Sequence, residues 1–324
     1  MTERLAAEAF RDVRRVGRAL VVAWPRLPAS RVGSLGATLV ERGRQEGLRV
    51  RLFGLSPAPL RRAGLGVLPI GREPLWRPRS WLQRAERRTS LRAQVRRAEG
   101  KGLRLQWWAG EQAPPEAWAL AARWLRSRGM APMDFCVRVR LGGGPLLLGW
   151  RDGRLVALAQ VRPLHEWDGW LVEHLMRDPE AAPNGWAEAL LLEVARRAER
   201  EGRAWVSLGL APLDGPGVPA WMRAAGRLGR PLFDFEGLAA FKGRLHPDRW
   251  VRRVVGHDAG DLALPVVLDV LRAFAGGSLL GFGLRTLGHR LGWGASSFAL
   301  PAHCPADRLA VAEARTSEPP RSQR

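Results

Sequence analysis

The segment from Trp170 to Pro212 most constrains how this chain can fold. Trp170, Val172 and His174 alternate with Leu171, Glu173 and Leu175, the period of two that sends side chains to opposite faces of a sheet. Both faces carry apolar residues, so the strand is expected to be partly buried on each. The loop Asp178–Gly185 holds two prolines and ends in Asn184, whose side-chain oxygen suits the cap of a following helix. Trp186, Leu190, Leu191, Val194, Ala195 and Ala198 then recur at three- and four-residue spacing, and Gly202 ends the run. A second strand is expected over 204–212. Strand, loop, helix and strand place a helix N-terminus, with unpaired N–H groups, beside Glu173 and Arg177. An anion would fit there, although any α/β protein has such corners.

At 324 residues the chain is long enough for two ordinary domains, and 46% hydrophobic with 26% charged residues is the balance of a globular protein. The net charge of +21 is unusual and unevenly spread. Residues 1–130 hold 27 basic and 10 acidic residues, a net +17, which leaves +4 for the remainder. Such a half attracts polyanions, either nucleic acid or an anionic membrane surface. Only Lys101 and Lys242 are lysines. Cys136 and Cys304 match no metal or disulfide spacing, so neither is expected, and no metal site is assigned. The N-terminus has acidic residues and no apolar run, which points to the cytoplasm, with peripheral contact at the inner face of the membrane.

Along the chain, helices are expected over 5–20, 33–46 and 114–128, and strands over 19–24, 48–54, 66–70 and 103–108. Arg84, Arg88, Arg92 and Arg96 are four apart and predict a basic stripe on one helix, suited to phosphates; a solvated face is the plain alternative. A boundary near 129–143 divides a basic domain, 1–135, from a second, 136–256. The second opens with three antiparallel strands, 145–150, 155–161 and 170–177, the first two joined at Asp152-Gly153. A helix over 219–228 and a strand over 232–235 follow. Residues 257–300 read as a helical extension of two short apolar helices, and 301–324 as a disordered tail. The second apolar helix suits either a membrane interface or the protein's own core.

Several runs carry a family resemblance: Glu173-His-Leu-Met-Arg177, Ala182-Pro-Asn-Gly185, Leu208-Gly-Leu-Ala-Pro-Leu213, Phe235-Glu-Gly-Leu238, Phe241-Lys242, Pro247 and Trp250–Arg253. They resemble the C-terminal catalytic region of bacterial phosphatidylglycerol lysyltransferases, and Leu91–Gly102 is similar to that family's arginine-rich helix. The resemblance covers about residues 20–256. It implies an α/β (α+β) fold of two tandem domains like the GCN5-related acyltransferases, with mixed, mostly antiparallel sheets. The long membrane-spanning region that precedes the catalytic part in full-length members is expected to be missing from this chain.

The activity the resemblance implies is transfer of an aminoacyl group from charged tRNA to the hydroxyl of an anionic phospholipid, with aminoacyl-tRNA as co-substrate and no cofactor. Glu173, His174 and Arg177 are then the expected catalytic residues, Asn184, Gly185, Lys242 and Arg253 the substrate-binding ones, and Arg84, Arg88, Arg92 and Arg96 the tRNA contacts. The family pattern has Asp where this chain has His174, and Glu173 beside it lies on the opposite strand face unless a bulge intervenes. Two alternatives stand beside this reading: an acyl-CoA-dependent N-acyltransferase, and a catalytically silent tRNA- or membrane-binding protein.

Overall fold

The computed structural model describes residues 1–291. In chain order the first elements are α1 (Thr2–Ala9), β1 (Phe10–Val16), β2 (Ala19–Pro25), α2 (Ala29–Gln45), β3 (Arg49–Leu55), α3 (Pro57–Arg62) and β4 (Gly66–Trp76). Next come α4 (Pro78–Arg87), α5 (Thr89–Gly100), β5 (Arg104–Trp108), α6 (Pro115–Arg126), β6 (Leu146–Arg151), β7 (Arg154–Leu164) and β8 (Gly169–Arg177). The last are α7 (Trp186–Arg200), β9 (Trp205–Ser207), β10 (Ala211–Pro212), α8 (Ala220–Leu228), α9 (Phe235–Arg244), β11 (Arg249–His257), α10 (Ala263–Phe274) and α11 (Leu279–Arg290).

Two units of strand, helix and parallel strand organise the molecule. In the first, β2 is apolar and buried on both faces and runs parallel to β3 after crossing through α2. In the second, β8 crosses through α7 to parallel β9. An antiparallel strand flanks each unit on both sides: β1 and β11 around the first, β7 and β4 around the second. The result is one mixed, mostly antiparallel 11-stranded sheet in the order β1-β2-β3-β11-β4-β9-β8-β7-β6-β5, with β10 on β4. The α/β expectation holds, and the two units share one sheet. The meander β6-β7-β8 also forms as expected, and its first turn has Asp152 and Gly153 at φ +50° and +73°.

Helices cover both faces. Under the first unit, α1, α2 and α3 close one core around Phe10, Leu39, Leu52 and Leu60, and α10 closes the other around Val266, Val270 and Ala273. Under the second, α4, α5 and α7 pack against Trp170 and Val172, while α6 packs against Leu148, Leu158 and Met176. Residues 78–126 therefore lie against the second half of the sheet, and β11 returns to the first half, so each half draws chain from both sides of residue 135.

Three local expectations change. The helix over 5–20 stops at Ala9: Phe10, Asp12 and Val16 are buried, Arg11, Val13 and Arg14 between them only partly so, and 10–16 pairs with β2 as a strand. No strand forms over 232–235; Asp234 instead caps α9, its carboxylate accepting the Gly237 N–H. The four-arginine stripe is not one helix. The backbone opens at Arg88 (φ −92°, ψ 107°), before Thr89 and Ser90, residues that favour helix starts over interiors. Residues 292–324, with the end of the extension and the whole tail, lie outside the described residues.

Candidate functional site

The parallel pairing of β8 and β9 ends at Leu171 and Ser207, and the strands part beyond it. Paired strands that separate leave backbone groups needing other partners, and the ends of parallel strands are where α/β proteins place ligands. At this parting β8 is bulged: Val172 faces Val161 and His174 faces Gln160, so Glu173 is the extra residue. The alternation expected here therefore breaks at Glu173, which is held between two guanidiniums. Arg11 donates to one carboxylate oxygen at 2.5 Å and Arg162 to the other at 2.9 Å. Asp12 extends the network, bonding Arg11 and Arg140.

His174 is buried, its Nε2 has no hydrogen-bond partner, and burial pushes its pKa down to about 4. It is a neutral imidazole at physiological pH. Cys136 lies close to this network, and burial raises its thiol pKa well above the usual range, so it is an inert sulfhydryl.

Arg177 ends β8, is exposed, and its guanidinium has no hydrogen bond or ion pair among the described residues. It lines an open cleft of about 450 Å³ with Trp124, Arg128, Pro179, Phe233 and Asp234. Arg128 lies over the Trp124 and Phe233 rings at 4.7 and 5.4 Å, and burial lowers its pKa. A neighbouring cleft of about 500 Å³, lined by Arg72, Arg223, Arg227, Phe235 and Trp250, shares Asp234 with the first. There Arg72 stacks on Trp250 at 4.1 Å and pairs with Asp214 at 2.6 Å.

The loop after β8 differs from the expected anion cradle. Gly185 (φ +90°), not Asn184, stands at the cap of α7, and no side chain caps the helix. Asn184 is exposed. Gly185 is buried so tightly that a Cβ there would sit 2.0 Å from the carbonyl oxygen of Gln94 in α5. The glycine thus serves helix packing. Asp178 organises the loop, accepting the N–H groups of Glu180 and Ala181 and pairing with Arg123 and Arg154. Burial acts to raise its pKa, but these bonds outweigh it and hold the carboxyl below its usual range.

Lys242 and Arg253 come together, but both point inward. The Lys242 ammonium donates to the carbonyls of Gly209 and Leu210 at 2.9 and 2.7 Å, on the chain leaving β9. Burial pushes its pKa down to about 7, with Glu73 acting the other way. Arg253 is 1% exposed and bonded to Glu73 at 2.5 Å and Glu166 at 2.6 Å; burial opposes its charge, and the two carboxylates overcome this to raise its pKa. Glu73 also accepts from the Ser207 hydroxyl, and Glu166 from that of Ser56. Neither cation is free for a substrate phosphate in this conformation.

The sequence missed Glu73 because Pro69 and Pro74 argue against a central strand, and the expected strand stopped at Ile70. It runs on to Trp76, with a register shift against β11 between Arg253 and Val254 that accommodates the break. Of the expected tRNA contacts, Arg84 is engaged with Asp248 at 2.7 and 2.9 Å, whereas Arg88, Arg92 and Arg96 are exposed.

Residues 13–255 match the family described as phosphatidylglycerol lysyltransferase, C-terminal. A phosphatidylglycerol lysyltransferase of Bacillus subtilis (strain 168) is 32% identical over 104 residues, which are 30% of this chain and 12% of that protein. The match thus spans a small part of that relative's length. The C-terminal domain of a putative lysylphosphatidylglycerol synthetase from Agrobacterium fabrum superposes with a TM-score of 0.66 at 22% identity, covering 82% of this chain and 86% of that one. L-PGS from Bacillus licheniformis gives 0.65 at 18% identity, covering 82% and 85%. At those identities the shared property is the fold.

Proposed function

The chain belongs to the family of phosphatidylglycerol lysyltransferase C-terminal regions, and on that premise we propose that it moves an aminoacyl group from charged tRNA to the hydroxyl of an anionic phospholipid such as phosphatidylglycerol. The reaction asks little of the protein beyond positioning. The lipid hydroxyl oxygen bonds to the carbonyl carbon of the aminoacyl ester and gives up its proton. A tetrahedral oxyanion forms and collapses, and the ribose oxygen of the tRNA leaves and takes a proton. The ester is already activated, so the gain comes from holding both reactants together and setting donors where the oxyanion develops.

Arg177 carries this reading. It ends the strand that bears the Glu173–Arg177 run, it faces an open cleft with aromatic walls, and it has no partner of its own among the described residues. It supplies a guanidinium to the oxyanion or to a substrate phosphate. Glu173 and neutral His174 are assigned to the nucleophile's proton or the amino group of the amino acid. Lys242, Glu73 and Arg253 keep the parted strands in place and act as positioning residues. Exposed Arg88, Arg92 and Arg96 meet tRNA phosphates, giving binding that weakens with salt.

A second reading, a catalytically silent tRNA- or membrane-binding protein, is favoured by one observation: buried, neutral His174 stands where the family pattern has an aspartate. The acyl-CoA alternative draws no support from the loop, where Gly185 is pressed against Gln94. The test incubates the protein with tRNA carrying radiolabelled amino acids and phosphatidylglycerol vesicles, and follows label into the lipid. Transfer is expected, falling about a hundredfold in Arg177→Ala, the scale of losing one donor to an oxyanion. Salt-sensitive tRNA binding with no label in lipid would replace this reading with the second.

A further inference from the structure

The helix α11 is turned the wrong way for a protein surrounded only by water. Leu280, Leu284, Leu287 and Leu291 follow one another at four-, three- and four-residue steps, so they share one face, and each is at least 52% exposed. The buried residue of this helix is Thr286, whose hydroxyl accepts the backbone N–H of Ala131. A surface helix in solution does the reverse. Leu264 and Leu271, seven residues apart on α10, are likewise exposed and share one face of that helix.

The exposed charge on the two helices has one sign. Arg272, Arg285 and Arg290 are exposed on α10 and α11. The only carboxylate in the two helices, Asp269, is 1% exposed and bound to Arg49 and Arg51. A second copy of the chain would bring the same arginines against these, whereas a bilayer with anionic headgroups offers both an acyl region for the leucines and counter-charge for the guanidiniums. Each helix has 12 residues, and no single described helix is long and apolar enough to cross a membrane; the pair meets at a 45° bend. Together the bent pair has the length and apolar content of a span, but Asp269 and Thr286 tie both helices to the body of the protein, so lying in the plane of the interface is the arrangement they fit.

We propose that the outward face of α10 and α11 docks the protein on an anionic membrane surface, with Leu280, Leu284, Leu287 and Leu291 in the headgroup–acyl boundary. The inference draws on the lipid-acceptor reading for the source of the surface, not for the helix geometry, and docking needs no tRNA.

The full chain, without tRNA, is sedimented with vesicles of phosphatidylglycerol and phosphatidylcholine in equal parts and with vesicles of phosphatidylcholine alone. Binding is expected to the first, to weaken with salt, and to be at most slight to the second. The double substitution Leu284→Ser with Leu287→Ser should weaken binding by about tenfold or more, and Arg272→Glu should weaken it at low salt. Both alter exposed side chains, so an unchanged Tm is expected and separates lost docking from lost fold; if the double variant melts early, Leu280→Ser alone takes its place. Vesicle binding that is absent in the wild type or unaffected by the leucine substitutions would overturn the proposal. So would a dimer that these substitutions dissociate while vesicle binding stays intact. Failure of aminoacyl transfer with docking preserved would count against the proposed reaction and leave this inference standing.

Discussion

The ammonium of Lys242 is buried against two carbonyls, and its pKa is pushed down to about 7. An unfolded lysine titrates near 10.4. Between those values the unfolded chain holds a proton that the folded chain releases, so stability rises with pH across that window, and below it the cost of the buried charge is felt in full. Relative to Lys242→Met, the wild type should therefore gain stability from pH 7 to pH 10, by up to a few kcal/mol. Urea midpoints of both proteins at several pH values measure this; a difference that stays constant would mean the ammonium remains solvated. Lys242 was visible in the sequence as the only lysine of its half, but its role was not. A charged residue among aromatics reads as a ligand for phosphate, and only the folded chain shows that carbonyls freed by the parting of β8 and β9 claim it first. Glu73 was hidden for a different reason, since its strand is interrupted by prolines that only the paired β11 tolerates.

The β8 strand and the α7 helix were legible because burial imposes clean periods of two and 3.6 on that stretch, whereas the single strand expected over 204–212 is broken into β9 on β8 and β10 on β4. What was not legible is what touches the loop. Gly185 meets the Gln94 carbonyl of α5, a segment some ninety residues earlier in the chain, and no local pattern records that contact. Gly185→Ala would force both a positive φ on a side-chain-bearing residue and a clash with rigid backbone. It should destabilise by about 2–4 kcal/mol and lower Tm by roughly 5 °C or more. Scanning calorimetry decides it, and an unchanged Tm would show that α5 can retreat from α7. The break between α4 and α5 was equally invisible, since an arginine every fourth residue continues through Arg88 whether or not the helix does. Charge spacing reports a face only where something else keeps the helix whole, and Thr89-Ser90 does not.

Across the whole molecule, Arg11 and Glu173 show how far the sheet coils. Six strand steps separate β1 from β8 in the sheet order, about 29 Å if the sheet were flat, yet their side chains meet at 2.5 Å. The twist natural to such a sheet has brought its first strand back over the bulge of its second unit. Arg140, from the chain between α6 and β6, ties in through Asp12. Tandem units could be inferred from the sequence, but their closure could not, because strand order and coil are set by non-local pairing: β11 inserts between β3 and β4 after 170 or so intervening residues. This closure makes a distant residue matter for the candidate site. Arg11→Met removes one of the two guanidiniums that fix Glu173, and the two positions should be energetically coupled. A double-mutant cycle with Arg11→Met and Glu173→Gln, measured by urea unfolding, is expected to give about 1–3 kcal/mol of interaction. Independent positions, with effects that simply add, would mean that the two ends of the sheet do not hold each other in solution, and that Glu173 is oriented by Arg162 alone.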